Sequence, residues 1–225
     1  TSFGAASVHV DPELFLVLPV FVLSVIVHEC AHGLVALWNG DTTARDKGRL
    51  TLNPLPHIDP VGSLLVPGLL FAFRAPFLFG WAKPVPVNWA NLRHPVNDQL
   101  KVALAGPASN LLLAVAFALL TRLAPEHGFF APLRTMGIAG VILNCALALF
   151  NLIPIPPLDG SWLIMRFLPL RHIIALQNFR ILGIALVVLL MSSRPLSNFF
   201  VLGPLQTLVK GCFRLVGLPP RGAGL

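Results

Sequence analysis

From Leu14 to Trp38 the chain is almost unbroken apolar sequence, 25 residues long. As a helix such a run rises roughly 37 Å, enough to cross the ~30 Å hydrocarbon core of a bilayer. Inside it stands His28-Glu29-Cys30-Ala31-His32. Ionisable groups at membrane depth are costly and are retained for function. On a helix, residues i and i+4 share a face, so H-E-x-x-H brings two imidazoles together on one Zn²⁺. The glutamate between them is placed to take a proton from an attacking water. Together the two features imply hydrolysis of peptide bonds inside lipid or very close to it.

Composition narrows the class. Of 225 residues, 56% are apolar and 11% charged, where a soluble domain of this length carries about 25% charged residues. The expected fold is an all-α polytopic membrane protein, one embedded domain over residues 1–225, with the recognisable core in 14–165 and further spans in 173–218. No stretch is long and polar enough to be a second soluble domain. The net charge of +7 does not point to nucleic acid, because the basic residues sit at the ends of apolar segments, as membrane anchors do. Cys30, Cys145 and Cys212 lie in or beside apolar segments without regular spacing and read as small buried residues without disulfides. Cys30 falls on a different helix face from both histidines. Residues 1–13 show neither a basic n-region nor a small-residue cleavage site, so a cleavable leader is not expected there.

The first span ends at Asn39-Gly40, a helix stop. Acidic residues precede it (Asp11, Glu13) and Arg45, Lys47 and Arg49 follow. The positive-inside rule therefore puts the N-terminus outside and the motif in the cytoplasmic half of the cell (inner) membrane. Residues 41–60 form a polar connector, with a short strand expected near 47–53. Val61–Phe73 and Phe77–Val87 are short, apolar and broken by Pro67-Gly68, Pro76, Pro84 and Pro86, which suits a broken helix with a re-entrant loop. Further spans are expected at Gln99–Leu123, Met136–Asn151, Ile173–Met191 and Asn198–Leu218, for about five to six in all. With the 61–90 region dipping in and returning, Met136–Asn151 runs inward. Asp159 then lies in the same cytoplasmic half as His28.

A catalytic zinc generally takes three protein ligands, so a third must come from elsewhere in the chain. Asp159 follows a proline-broken helix end, where an acid in apolar surroundings is expensive unless paired or metal-bound. On the residues alone, Asp159-Gly160 reads equally as a turn or N-cap before Ser161. His28-Glu29-Cys30-Ala31-His32 and Asn151-Leu152-Ile153-Pro154-Ile155-Pro156-Pro157-Leu158-Asp159-Gly160 together resemble the two signatures of the site-2 proteases, intramembrane zinc metalloproteases. Arg49–Pro54, His57–Pro60, Gly80–Asn88 and Ala105–Asn110 are similar, in the same order, to compact prokaryotic members without PDZ or CBS domains.

The resemblance implies that His28, His32 and Asp159 ligate one Zn²⁺ per chain and that Glu29 is the general base. It also implies that Asn151 stands at the active site, where its amide could steady a substrate carbonyl or oxyanion; a helix C-cap is the plainer role. For His57 a structural turn, a substrate-facing role and a ligand role stay open. Gly106-Pro107 reads as close helix packing with a kink, Asn110 as a partner for freed backbone groups, and Lys83 as a snorkelling side chain. His9, His94, His127 and His172 read as interfacial. The implied substrate is a transmembrane protein or peptide presented from membrane lipid. Rival readings are an intramembrane metal-ion transporter and a non-catalytic zinc-binding scaffold. Oligomeric state is not legible.

Overall fold

The computed structural model describes residues 12–73, 81–169, 171–173, 176 and 180–219. Their secondary structure is helical, and no strand forms among them. Three helices are long and apolar enough to cross a membrane: α1 (Pro12–Trp38), α4 (Pro95–Leu123) and α5 (Ala131–Asn151). Between α1 and α4 come two short helices, α2 (Thr43–Asp46) and α3 (Val66–Ala72), the latter continuing a π-helical turn at Pro60–Leu65. After α5 follow α6 (Ser161–Met165), α7 (Arg180–Ser192), α8 (Arg194–Ser197) and α9 (Gly203–Leu215).

The long helices begin about a turn earlier than hydropathy alone indicates, at Pro95 rather than Gln99 and at Ala131 rather than Met136. Pro95 and Pro132 stand in the opening turns, where the fixed φ suits a helix and the missing N–H would have no partner. Polar first turns are therefore helical although they are not apolar. α1 ends where expected, with Gly40 in the left-handed region at φ +111°.

α1 is apolar on its outward face as well as its inward one. Phe15 is 71% exposed and Leu18 54%, whereas Val20, Ser24, Ile26 and His28 are buried. A helix that is apolar all round and yet this exposed needs lipid as its solvent. α4 packs against both α1 and α5. Ala114 and Ala118 of α4 are wholly buried with Val141 and Cys145 of α5, and Gly140 accepts the ring of Phe117 where any Cβ would overlap it. Small residues let these backbones approach, which is how apolar helices associate where lipid removes the hydrophobic drive. Val209, Cys212 and Phe213 of α9 close the same cluster. Cys145 and Cys212 are both free thiols, with sulfurs 3.8 Å apart.

Two expected elements differ, and a third is described only in part. The strand expected near 47–53 does not form: Lys47 and Gly48 turn the chain, with Gly48 at φ +62°, and residues 49–53 have no ladder partner among the described residues. Thr51 O instead accepts from Cys30 Sγ and His57 Nε2. Of the Ile173–Met191 span, α7 is described from Arg180, and most of 173–179 lies outside the described residues. The last span divides into α8, a π-helical turn at Asn198–Leu202, and α9, starting after a break at extended Ser193. The breaks at 61–90 resolve into the π turn and α3, with Trp81–Asn88 extended; residues 74–80 lie outside the described residues.

Candidate metal centre

One turn of α1 separates His28 from His32, and their Nε2 atoms lie 3.0 Å apart. Asp159 arrives from the loop after α5. That loop folds back on itself where Gly160 N–H donates to Asn151 O at 2.6 Å, and Trp162 N–H at the start of α6 donates to Asp159 O. Asp159 Oδ2 then sits 3.2 Å from His28 Nε2 and 3.4 Å from His32 Nε2. Gly106 on α4 makes room for the cluster: a Cβ there would stand 2.5 Å from atoms of both imidazoles.

Ring protons decide what this cluster can bind. His32 Nδ1 lies 2.7 Å from Val102 O, and a carbonyl only accepts, so that nitrogen carries the hydrogen. His28 Nδ1 lies 2.5 Å from Asn110 Oδ1, likewise an acceptor. Each neutral ring therefore presents a bare lone pair at Nε2. With both rings neutral, the contacts from these nitrogens to Asp159 carry no proton, and Oδ2 is buried without a hydrogen-bond donor among the described residues. Three lone pairs facing one point repel one another unless a cation lies between them. The point equidistant from the three atoms is roughly 1.9 Å from each, close to the about 2.0–2.2 Å of zinc–nitrogen and zinc–oxygen bonds. The donor set and its spacing fit zinc.

Glu29 lies on the neighbouring face of α1, where its Oε2 accepts from Val85 N–H at 2.8 Å. Val85 belongs to the extended segment after Trp81, which is fastened from beneath. Arg49 donates from one guanidinium nitrogen to Lys83 O at 2.8 Å and Pro84 O at 3.3 Å, and Lys83 N–H donates to His57 O. Gly33, directly after the motif, admits both extended segments. A Cβ there would meet Leu50 at 2.6 Å and Val85 at 2.7 Å.

Of the expected site residues, His28, His32 and Asp159 converge and Glu29 stands beside them. Asn151, the last residue of α5, donates its amide to Leu147 O one turn back at 3.0 Å. His57 is turned away from the metal cluster, with Nε2–H donating to Thr51 O at 2.9 Å. Cys30 Sγ points to Thr51 O, away from the histidines. Asn110 does more than partner backbone, since it holds His28. Sequence reasoning missed Gly33 and the contact of Val85 with Glu29; the first signals only as a glycine beside the motif, and the second acts through its backbone.

The chain is similar to known proteins. Over 162 residues, 68% of this chain and 70% of the relative, the chain is 41% identical to a Bacillus subtilis protein named "Putative zinc metalloprotease YwhC". It is 35% identical over 189 residues, 82% of this chain and 70% of the relative, to "Putative zinc metalloprotease Rip2" of Mycolicibacterium smegmatis. The chain belongs to this zinc metalloprotease family. A shorter match, 43% over 61 residues, 27% of this chain and 30% of the relative, is to "Putative zinc metalloprotease MJ0611" of Methanocaldococcus jannaschii. No family model matches the chain, and no solved structure does. Membership agrees with the resemblance drawn from the motifs, implies zinc, and gives the His28, His32 and Asp159 cluster of this metalloprotease its expected occupant.

Proposed function

We propose that the chain is an intramembrane zinc metalloendopeptidase of the site-2 protease type, cutting peptide bonds within or near transmembrane segments of its substrates. One observation carries the reading: three bare ligand atoms converge against an H-E-x-x-H helix of membrane-spanning length. His28, His32 and Asp159 hold one zinc per chain. The metal supplies a Lewis acid that polarises a carbonyl and makes water a nucleophile near neutral pH.

The remaining work falls to the chain. Val85 N–H fixes one oxygen of Glu29, leaving the other to take the proton of the attacking water and return it to the departing amine. Asn151 keeps a second amide hydrogen beyond the one given to Leu147, available to a developing oxyanion. A helical peptide bond is shielded by its own ladder, so the substrate must be unwound. Leu50 and Leu52 have backbone N–H and C=O groups that bond to nothing among the described residues, and an extended substrate segment adds there as a strand. The 81–88 segment is the poorer template. Its Lys83 and Val85 N–H groups are taken, and Pro84 and Pro86 have none.

The domain spans the inner membrane five to six times, with the 60–90 region re-entrant and the active site in the cytoplasmic half. The deciding experiment purifies the zinc-loaded protein and compares cleavage of a model transmembrane substrate by wild type and Glu29→Gln. Loss of cleavage with zinc retained is expected. Absence of cleavage by either would favour a transporter or a structural zinc protein instead.

A further inference from the structure

The two histidines are oriented by different means. His32 Nδ1–H donates directly to a backbone carbonyl, Val102 O. His28 Nδ1–H donates to a side chain, Asn110 Oδ1, and a side-chain amide presents either oxygen or nitrogen according to its flip. Something must therefore set the flip of Asn110. Asn110 Nδ2 donates to Asn144 Oδ1 on α5 at 2.8 Å and, over a longer 3.4 Å, to Ser24 O; the short bond to Asn144 is the stronger hold on its flip. Asn144 Nδ2 donates to Gly140 O and to Ser24 Oγ, both at 2.8 Å. Ser24 Oγ donates to Val20 O at 2.7 Å. All three side chains are fully buried, so water offers none of them an alternative partner.

Hydrogen bonds in this chain all run one way. Val20 O can only accept, so it takes the Ser24 Oγ hydrogen and leaves Ser24 Oγ to accept. Gly140 O can likewise only accept, and the two together turn the nitrogen of Asn144 toward Gly140 O and Ser24 Oγ and its oxygen toward Asn110. That orientation draws the nitrogen of Asn110, whose oxygen is thereby left for His28. The proton of His28 is then held at Nδ1, and its lone pair at Nε2 faces His32 and Asp159. Reversing Asn110 would set its amide N–H against His28 Nδ1–H and its oxygen against Asn144 Oδ1 in a dry site, leaving each group unsatisfied.

We infer that Asn144, on a helix that supplies neither histidine, is a positioning residue that fixes the tautomer of His28 through Asn110 and so sets the strength of metal binding. The inference rests on the zinc reading above, and its test separates the two. ¹⁵N-histidine spectra of the metal-free full chain in detergent micelles report the tautomer, with the His28 signal assigned by its loss in His28→Gln. Zinc affinity is measured by competition with a chromophoric chelator. Wild type should show His28 protonated at Nδ1. Asn144→Leu, isosteric but without polar atoms, should mix the tautomers of His28 alone and weaken zinc about 10- to 100-fold. Asn144→Asp, kept protonated by burial, donates its O–H toward Gly140 O, keeps an oxygen toward Asn110 and should retain both the tautomer and near-wild-type affinity.

A wild-type His28 protonated at Nε2 overturns the inference without any variant. So does a folded Asn144→Leu protein with unchanged tautomer and affinity. Should Asn144→Leu fail to fold, the wild-type spectrum and Asn144→Asp decide, loss of the tautomer in the latter counting against the inference. Absence of zinc binding by wild type, with His28 protonated at Nδ1, removes the metal reading and leaves the relay standing.

Discussion

The metal cluster and the general base are held by walls of opposite character. The ligand wall is helical: α1, α4 and α5 meet through glycine and alanine, and the polar groups buried there (Ser24, Asn110, Asn144) satisfy one another. The base wall is irregular chain, residues 49–54 with the 3₁₀ turn Leu55–His57 and residues 81–88, held by side chains gripping backbone. It keeps two buried polar atoms, Arg49 Nε and His57 Nδ1, without partners. Close-packed helices fix atoms with little freedom to yield. A wall of single hydrogen bonds can give way, as one that admits a substrate strand must. Each wall should therefore fail in its own way, the first by losing metal and the second by losing rate.

The largest effect is expected at Gly106→Ala, whose methyl group meets both imidazoles at 2.5 Å. Zinc affinity should fall about 100-fold, read by chelator competition; unchanged affinity would mean that the helical wall does not order the ligands. Next comes Gly33→Val, which pushes Leu50 and Val85 off α1. A displacement of about 1 Å at a catalytic group costs roughly 10²-fold in rate, so cleavage should collapse while zinc content by metal analysis holds. Loss of both together would merge the two walls into one unit. Arg49→Met releases Lys83 O and Pro84 O and should slow cleavage about tenfold, the scale of one charge-assisted hydrogen bond, again with zinc retained. Unchanged turnover would show that the segment is held without Arg49.

How much of this was legible follows from what kind of atom does the work. The H-E-x-x-H residues and Asp159 announced themselves because titratable side chains are rare in apolar sequence. The three long helices were visible because lipid demands continuous hydropathy. The helix starts at Pro95 and Ala131 were misplaced because the opening turns are polar, and the strand expected at 47–53 lacks the partner that would make it one. Val85 acts through a backbone N–H, which every residue but proline possesses, so no letter of the sequence marks it. Asn144 looks like any polar residue in a span until the neighbours of its two amide atoms are known.

The smallest effect tests the joint between the walls outside the spans. Asp41 is buried just after α1 and accepts from Thr43 N–H and Oγ1, Asn88 N–H and Asn91 Nδ2. Burial disfavours its charge, but these hydrogen bonds outweigh that and hold the carboxyl below its ordinary 3.8. The stabilisation is thus complete above that value and fades as pH falls through the lowered one. Asp41→Ala should cost about 1–3 kcal/mol at neutral pH, seen as a lower unfolding temperature in detergent. Asp41→Asn should remove the acid-side slope; a slope that persists would assign it to other carboxylates.

Trp89 packs against Trp162 with ring centroids 4.8 Å apart and the rings tilted 43° to each other, and Trp162 lies three residues beyond Asp159. The indole pair thus joins the segment that touches Glu29 to the short helix that follows the carboxylate ligand. Any event that draws Asp159 inward or lifts residues 81–91 alters the overlap of the two rings. The molecule carries an optical gauge of its own, and near-ultraviolet circular dichroism of unlabelled protein should follow loading and opening in real time.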